Sequence, residues 1–418
     1  MKKSKMQVLL VFATALTLMA AAFTGCAKKD TTTSAGGNQT VTEDATATET
    51  ADSETTADAA TSEAATESKT DGAALKIAIV TSPSGVDDGS FNQDNYNGIL
   101  KFIEENPNST VTPVNEPTGD TAAAVQAVAN IVADYDVIVC PGFQFAGISS
   151  IALENPDKKF ILIDSDPAAQ GEQKEFDNIY AMTFAEQESG FFAGMAAALE
   201  SASGKVAVVN GVAYPSNVNY QYGFESGVNY VNALYDKKVE FVELPAYAGT
   251  DVTNANVGGN YVGSFADEAT GKVVGKALID EGCDIIFVAA GASGNGVFTA
   301  AKEAKGVKVI GCDVDQYDDG ANGDSNVVLT SALKVMSINV DRALNTVKDG
   351  SFKGQNVLLQ ANTDSTGYVS ADGRQQLSAD TISKLNEAYE LVKAGTIVPA
   401  SNFNGITSDA FPGLPEKK

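Results

Sequence analysis

Residues 76–106, "KIAIVTSPSGVDDGSFNQDNYNGILKFIEEN", change character twice in a short span. A β-branched apolar run comes first, then a turn of Pro, Gly, Ser and Asp, then a stretch with helical spacing. An apolar run without polar alternation is a strand covered on both faces, and a helix directly after it is the first half of a crossover to a parallel neighbour. The turn also holds Phe91, a large aromatic among residues that favour solvent. Loops carried on a rigid scaffold aim side chains at ligands, which is one reading of Phe91; a hydrophobic staple beneath the helix start is the other.

The same unit recurs along the chain. Apolar runs "DVIVCPG", "KFILIDSD", "NIYAMTF", "KVAVVNGV", "VEFVELPA", "DIIFVAAGA", "KVIGCDVD" and "NVVLTSAL" alternate with amphipathic stretches such as "DTAAAVQAVANIVADY" and "ATGKVVGKALIDEG". Buried strands alternating with helices predict a parallel α/β sheet, either one large sheet or two smaller ones. The stretch "FAEQESGFFAGMAAALESASG" opens a second series of similar make-up and favours two lobes. Such sheets bind ligands beyond the carboxyl ends of their strands. Here those ends read "TSPSGVDDGSFN", "PGFQFAG", "IDSDP", "AAGASGNG" and "CDVDQYDDG", more polar and Gly-rich than plain turns require.

Composition narrows the function. The chain has 418 residues, 44% of them hydrophobic, enough for two or three packed domains. Its formal net charge of -26 repels nucleic acid and anionic lipid. There is no His, which removes His-ligated metal sites and His-based triads, so no catalytic residue, metal or cofactor is expected. Residues 1–26 read as an export signal: Lys2, Lys3 and Lys5, an apolar stretch, then "FTGC" with Cys26 placed for lipidation, or a simple signal peptide with an incidental Cys. Residues 27–74, rich in Thr, Ala, Ser, Asp and Glu, cannot bury enough surface to offset ordering entropy and are expected to form a disordered acidic tether. Cys140, Cys283 and Cys312 each lie in or beside an apolar run and are expected as buried free thiols.

Three motifs invite chemistry. "GASGNG", with Gly291, Gly294 and Gly296, lacks the G-x-G-x-x-G order and the Walker lysine, so its glycines are read as admitting a neutral ligand or the next helix, or as a plain turn. "DVDQYDDG", beginning at Asp313, lacks EF-hand spacing; carboxylates at a strand end accept hydrogen bonds from hydroxyls, as sugar diols offer. Asp164 after "FILI" is placed alike, and for each Asp alone a helix N-cap is the commoner role. Lys334 after "VVLTSAL" either snorkels to water or joins Asp313 at one ligand oxygen.

The ordered blocks "SGVDDGSFNQDNYNG", "FILID", "NYVGSFADEATGK", "AAGASGNGV", "VIGCDVDQY" and "VLTSALK" resemble the basic membrane protein family of lipoproteins, the substrate-binding subunits of ABC importers for purine nucleosides. The resemblance implies a type I periplasmic-binding fold, with two doubly wound parallel-sheet α/β lobes joined by a hinge. Its lobes would be residues 75–185 plus about 315–350, and 186–314 plus about 351–418. It further implies Phe91 and Phe265 sandwiching a purine and Asn92 bonding the base or ribose. Asp164, Asp313 and Lys334 would hold polar ligand atoms, with Gly291 beside the ribose. Permease and ATPase subunits would be the partners, and the protein would sit lipid-anchored on the extracytoplasmic face of the cell membrane. One departure stands out: Ser82 occupies the place where the family commonly has Asp, which alters the acceptor available to a base N–H. A sugar or autoinducer receptor on the same fold, an extracytoplasmic nucleoside hydrolase built on the Asp313–Asp319 carboxylates, and a sensing or adhesion lipoprotein are the rival readings.

Overall fold

A computed structural model describes residues 74–416. The expected signal segment, Cys26 and residues 27–73 of the expected tether lie outside the described residues. The described chain builds two six-stranded sheets, each flanked by helices. In the first the strand order is Gln355–Leu359, Ile179–Phe184, Lys159–Ile163, Val137–Pro141, Lys76–Thr81, Thr110–Asn115, all parallel. In the second it is Thr366–Tyr368, Val328–Lys334, Lys308–Asp313, Ile285–Ala289, Lys205–Asn210, Glu240–Phe241, parallel except for its first member. Every apolar run named from sequence supplies one of these strands.

Each sheet carries apolar clusters on both faces, which is why its strands read as continuous apolar runs. Ile77, Ile79, Val137 and Ile161 pack on one face of the first sheet with Phe102, while Val80, Ile138 and Leu162 pack on the other with Phe145. In the second sheet Val206, Val208 and Phe287 join Phe191 and Phe224, and Val209, Ile286 and Val309 join Val297. The helices Glu186–Glu200 and Pro215–Leu234 touch backbone to backbone: a Cβ on Gly194 would lie 2.0 Å from the Phe224 carbonyl oxygen. Cys140, Cys283 and Cys312 are free and buried, as their apolar surroundings foretell.

The lobe boundary departs from expectation. Val328–Lys334 pairs in parallel with Lys308–Asp313 and belongs to the second sheet, whereas residues 315–350 were expected in the first lobe. The return comes only at Val335: Met336, Val340 and Leu344 of the Met336–Lys348 helix pack with Ile79 and Phe102, and Gln355–Leu359 closes the first sheet's edge. The first lobe therefore comprises residues 75–185 plus about 335–360, and the second about 186–334 plus 361–416. Three crossovers, near residues 185, 335 and 360, connect them.

Candidate functional site

The carboxyl ends of both sheets face one cleft, with about 570 Å³ of empty space counting its mouth. Phe91 and Phe265 both line it, one from each lobe, and no ring contact joins them. Phe91 proves to be the first residue of the Phe91–Glu105 helix rather than part of the turn. Asp88 fixes that helix start, its carboxylate accepting the backbone N–H of Ser90, Asn92 and Gln93 at 3.0 Å each. The Phe91 ring is half-buried against the first lobe's core, so cleft wall and partial packing coexist in one side chain. Phe265 lies on bare backbone. A Cβ on Gly211 would stand 2.2 Å from its ring, and Gly291, at φ +53°, passes beneath its Cβ.

Asn92 donates to Ser82 Oγ at 2.9 Å and Ser84 Oγ at 3.1 Å. Its own carbonyl oxygen, Oδ1, is buried without a partner. A buried amide oxygen left unpaired costs about 1–3 kcal/mol, so this end of the cleft holds an acceptor suited to a ligand donor.

At the other polar locus Lys334 is 2% exposed and does not snorkel. Its Nζ lies 2.6 Å from Asp164 Oδ2, 3.6 Å from Glu186 Oε1 and 3.8 Å from Asp313 Oδ1, and 4.8 Å from the Phe91 ring centroid. Asp164 follows the strand Lys159–Ile163 and Asp313 ends Lys308–Asp313, with φ of +61° and +68°, and neither caps a helix, which corrects the N-cap reading of both. Non-glycine residues held in that left-handed region cluster at functional sites. Asp313 accepts from Tyr220 Oη at 2.9 Å and, across the cleft, from Ser90 Oγ at 3.0 Å, while Asp164 Oδ1 is left without a partner.

Burial sets the electrostatics here, since one ammonium faces three carboxyl groups. Burial pushes the Glu186 carboxyl up to about 8 against the opposing pull of Lys334, and Asp164 adds to the rise. Burial likewise raises Asp164, with Lys334 opposing. Burial would depress the Lys334 ammonium, but Asp164, Asp313 and Glu186 outweigh it and hold its pKa above the ordinary value.

All eight positions singled out in the sequence, Ser82, Phe91, Asn92, Asp164, Phe265, Gly291, Asp313 and Lys334, line this one cleft. Sequence reading missed Phe143, Tyr214 and Tyr220, which also line it, and Glu186 behind Lys334. The run "PGFQFAG" was a signal for Phe143, placed at a strand's carboxyl end; Tyr220 and Glu186 are helical and gave none. The acidic run after Asp313 is already engaged: Arg374 binds Asp315 at 2.7 Å and Asp318 at 2.8 Å, and among the described residues no cluster is arranged to hold a metal.

Two α/β lobes joined by three crossovers around an enclosed cleft define the architecture of a type I periplasmic solute-binding protein. The chain belongs to the Bmp family, described as ABC transporter substrate-binding protein PnrA-like, whose model matches residues 75–245 and 246–401. It is 30% identical over 311 residues to the ABC transporter nucleoside-binding protein BmpA of Lactococcus lactis, covering 69% of this chain and 79% of that one. A CD4+ T-cell-stimulating antigen of Listeria innocua is 29% identical over 336 residues, covering 77% and 87%. An ABC-transporter solute-binding protein of Aeropyrum pernix shares the fold at a TM-score of 0.65 and 23% identity, covering 79% and 94%. As a member of this family the chain is a substrate-binding component of an ABC transporter, which implies permease and ATPase partners.

Proposed function

We propose that this protein captures purine nucleosides between its lobes and delivers them to its permease without chemical turnover, held to the extracytoplasmic face of the membrane by a lipid on Cys26. The observation that carries the reading is the placement of two aromatic side chains, Phe91 and Phe265, on opposite lobes of one cleft without touching. A flat base between them gains both apolar burial and ring stacking, about 1–3 kcal/mol per ring. The Asp164, Asp313 and Lys334 group offers acceptors and a donor to ribose hydroxyls, and the unpaired Asn92 oxygen offers an acceptor to a base N–H. The Lactococcus relative's name points the same way.

Calorimetric titration with adenosine, inosine, guanosine, uridine and ribose tests it. We expect tight binding of the purine nucleosides, weak uridine, no ribose binding and no product. Phe91→Ala should weaken binding roughly tenfold or more while keeping the fold. Ribose binding as tightly as inosine would transfer the site to the sugar receptors, and an unchanged Phe91→Ala affinity would leave that ring a packing element.

A further inference from the structure

We propose that Phe143 and Tyr214 form an aromatic clasp that holds the cleft shut over its occupant, so that release of solute requires this ring pair to part. The inference rests on the cleft being a solute site closed by lobe motion, and not on which solute fills it. Phe143 opens the short helical segment Phe143–Ile148, separated by one residue from the first-lobe strand Val137–Pro141. Tyr214 precedes Pro215, the first residue of the second-lobe helix Pro215–Leu234. Their ring centroids lie 5.3 Å apart with the planes inclined at 41°, inside the range where aromatic pairs attract beyond simple area burial. Tyr214 in turn lies 6.0 Å from the Phe265 ring, so three rings run in a row along the wall of the cleft.

Several features separate a clasp from ordinary packing. Neither Phe143 nor Tyr214 belongs to any apolar core cluster, and both rings are half-buried. Because they belong to different lobes, hinge opening must separate them, whereas no contact within one lobe need break. Among the described residues the Tyr214 hydroxyl has no protein hydrogen-bond partner, so its contact with Phe143 is one of rings; burial, and then the Asp120 carboxylate of the first lobe, raise its pKa. Phe143 also borders the neighbouring groove lined by Asp166, Gln187 and Phe403. Its ring therefore forms part of the wall that the cleft shares with this groove. An uncharged ring pair formed only in the closed state acts on dissociation more than on encounter.

Stopped-flow displacement of inosine from the full chain tests the clasp. Phe143→Ala and Tyr214→Ala should each raise the dissociation rate roughly two- to tenfold with little change in the association rate. The double variant should be scarcely faster than either single one, and Tyr214→Phe should keep the wild-type rate. Unchanged dissociation in both single variants, or fully additive effects, would overturn the clasp even if inosine binds tightly. A wild-type protein that binds no nucleoside sinks the proposed function instead. The clasp is then decided by solution X-ray scattering, where a larger radius of gyration for Tyr214→Ala upholds it and equal radii reject it.

Discussion

Glu186→Gln isolates the electrostatic character of the hinge. Glu186 is the first residue of the second lobe, 2% exposed, bonded by Asn219 at 3.0 Å and 3.6 Å from Lys334 Nζ. Its carboxyl is pushed from 4.5 to about 8, chiefly by burial, so the folded protein holds a proton there at neutral pH that the unfolded chain has lost. Glutamine imitates that protonated state. A folded-state pKa above the unfolded value stabilises fully below about pH 4.5, and this contribution is lost as pH rises through about 8. At 1.36 kcal/mol per pKa unit the ceiling on that loss is roughly 5 kcal/mol; relaxation and water entry on ionisation reduce it to about 2–4 kcal/mol. Urea unfolding of both proteins from pH 4.5 to 9 measures it. Wild type should lose stability relative to the variant steadily across that window and then level off, with the two within about 1 kcal/mol near its acid end. Parallel stability curves would refute the claim that Glu186 is folded in its protonated form, and would mean that Lys334 is neutralised by an ionised Glu186.

Three further substitutions probe separate parts of the molecule. Gly211→Ala would set a Cβ 2.2 Å from the Phe265 ring and displace it, so calorimetry should show binding weakened roughly tenfold while the melting temperature barely moves. Gly194→Ala forces apart the Glu186–Glu200 and Pro215–Leu234 helices and should cost about 1–3 kcal/mol by urea unfolding, because the obstructing atom is the Phe224 backbone carbonyl. Lys334→Met leaves buried carboxyl groups without their cation and should cost about 3–5 kcal/mol at neutral pH. That loss should shrink as pH falls and the raised Asp164 carboxyl takes up a proton, Glu186 holding its own already at neutral pH; a pH-independent loss would contradict it.

What could be read in the sequence tracks how local each signal is. Central strands such as Lys159–Ile163 declare themselves because both faces are buried, and the residues at their carboxyl ends inherit a functional position from topology alone. Thr110–Asn115 escaped notice because an edge strand alternates polar residues and admits Pro113, which a central strand would exclude. Gln355–Leu359, mostly half-buried or exposed, and the three-residue Thr366–Tyr368 are likewise edge strands too short or too open to stand out. The misplaced lobe boundary has another cause. Val328–Lys334 is buried along nearly its whole length like the central strands of either sheet, and nothing local says which sheet it joins; only its pairing with Lys308–Asp313 decides. An N-cap is the commoner reading of Asp164 or Asp313 taken alone for a related reason, since an Asp before a polar loop has the same composition whether it follows a strand or begins a helix, and it took the surrounding blocks to point to the ligand site.

The arrangement of Lys334 ties the hinge to the cleft. Its residue ends the last parallel strand of the second lobe, one position before the crossover at Val335, whose N–H bonds the Ser365 carbonyl. Its ammonium reaches Asp164 of the first lobe, Asp313 of the second and Glu186 at another crossover. Opening the lobes must lengthen the 2.6 Å contact to Asp164, which spans them, while the contact to Asp313 stays within one lobe. A buried carboxylate separated from its cation gains solvation only if water enters, so the closed cleft and the intact ion cluster favour each other. Closure by this cation and by the Phe143–Tyr214 rings uses opposite physics, one contact sensitive to pH and the other not. The two contributions are therefore separable: acidification should weaken the grip of the first and leave the second unchanged.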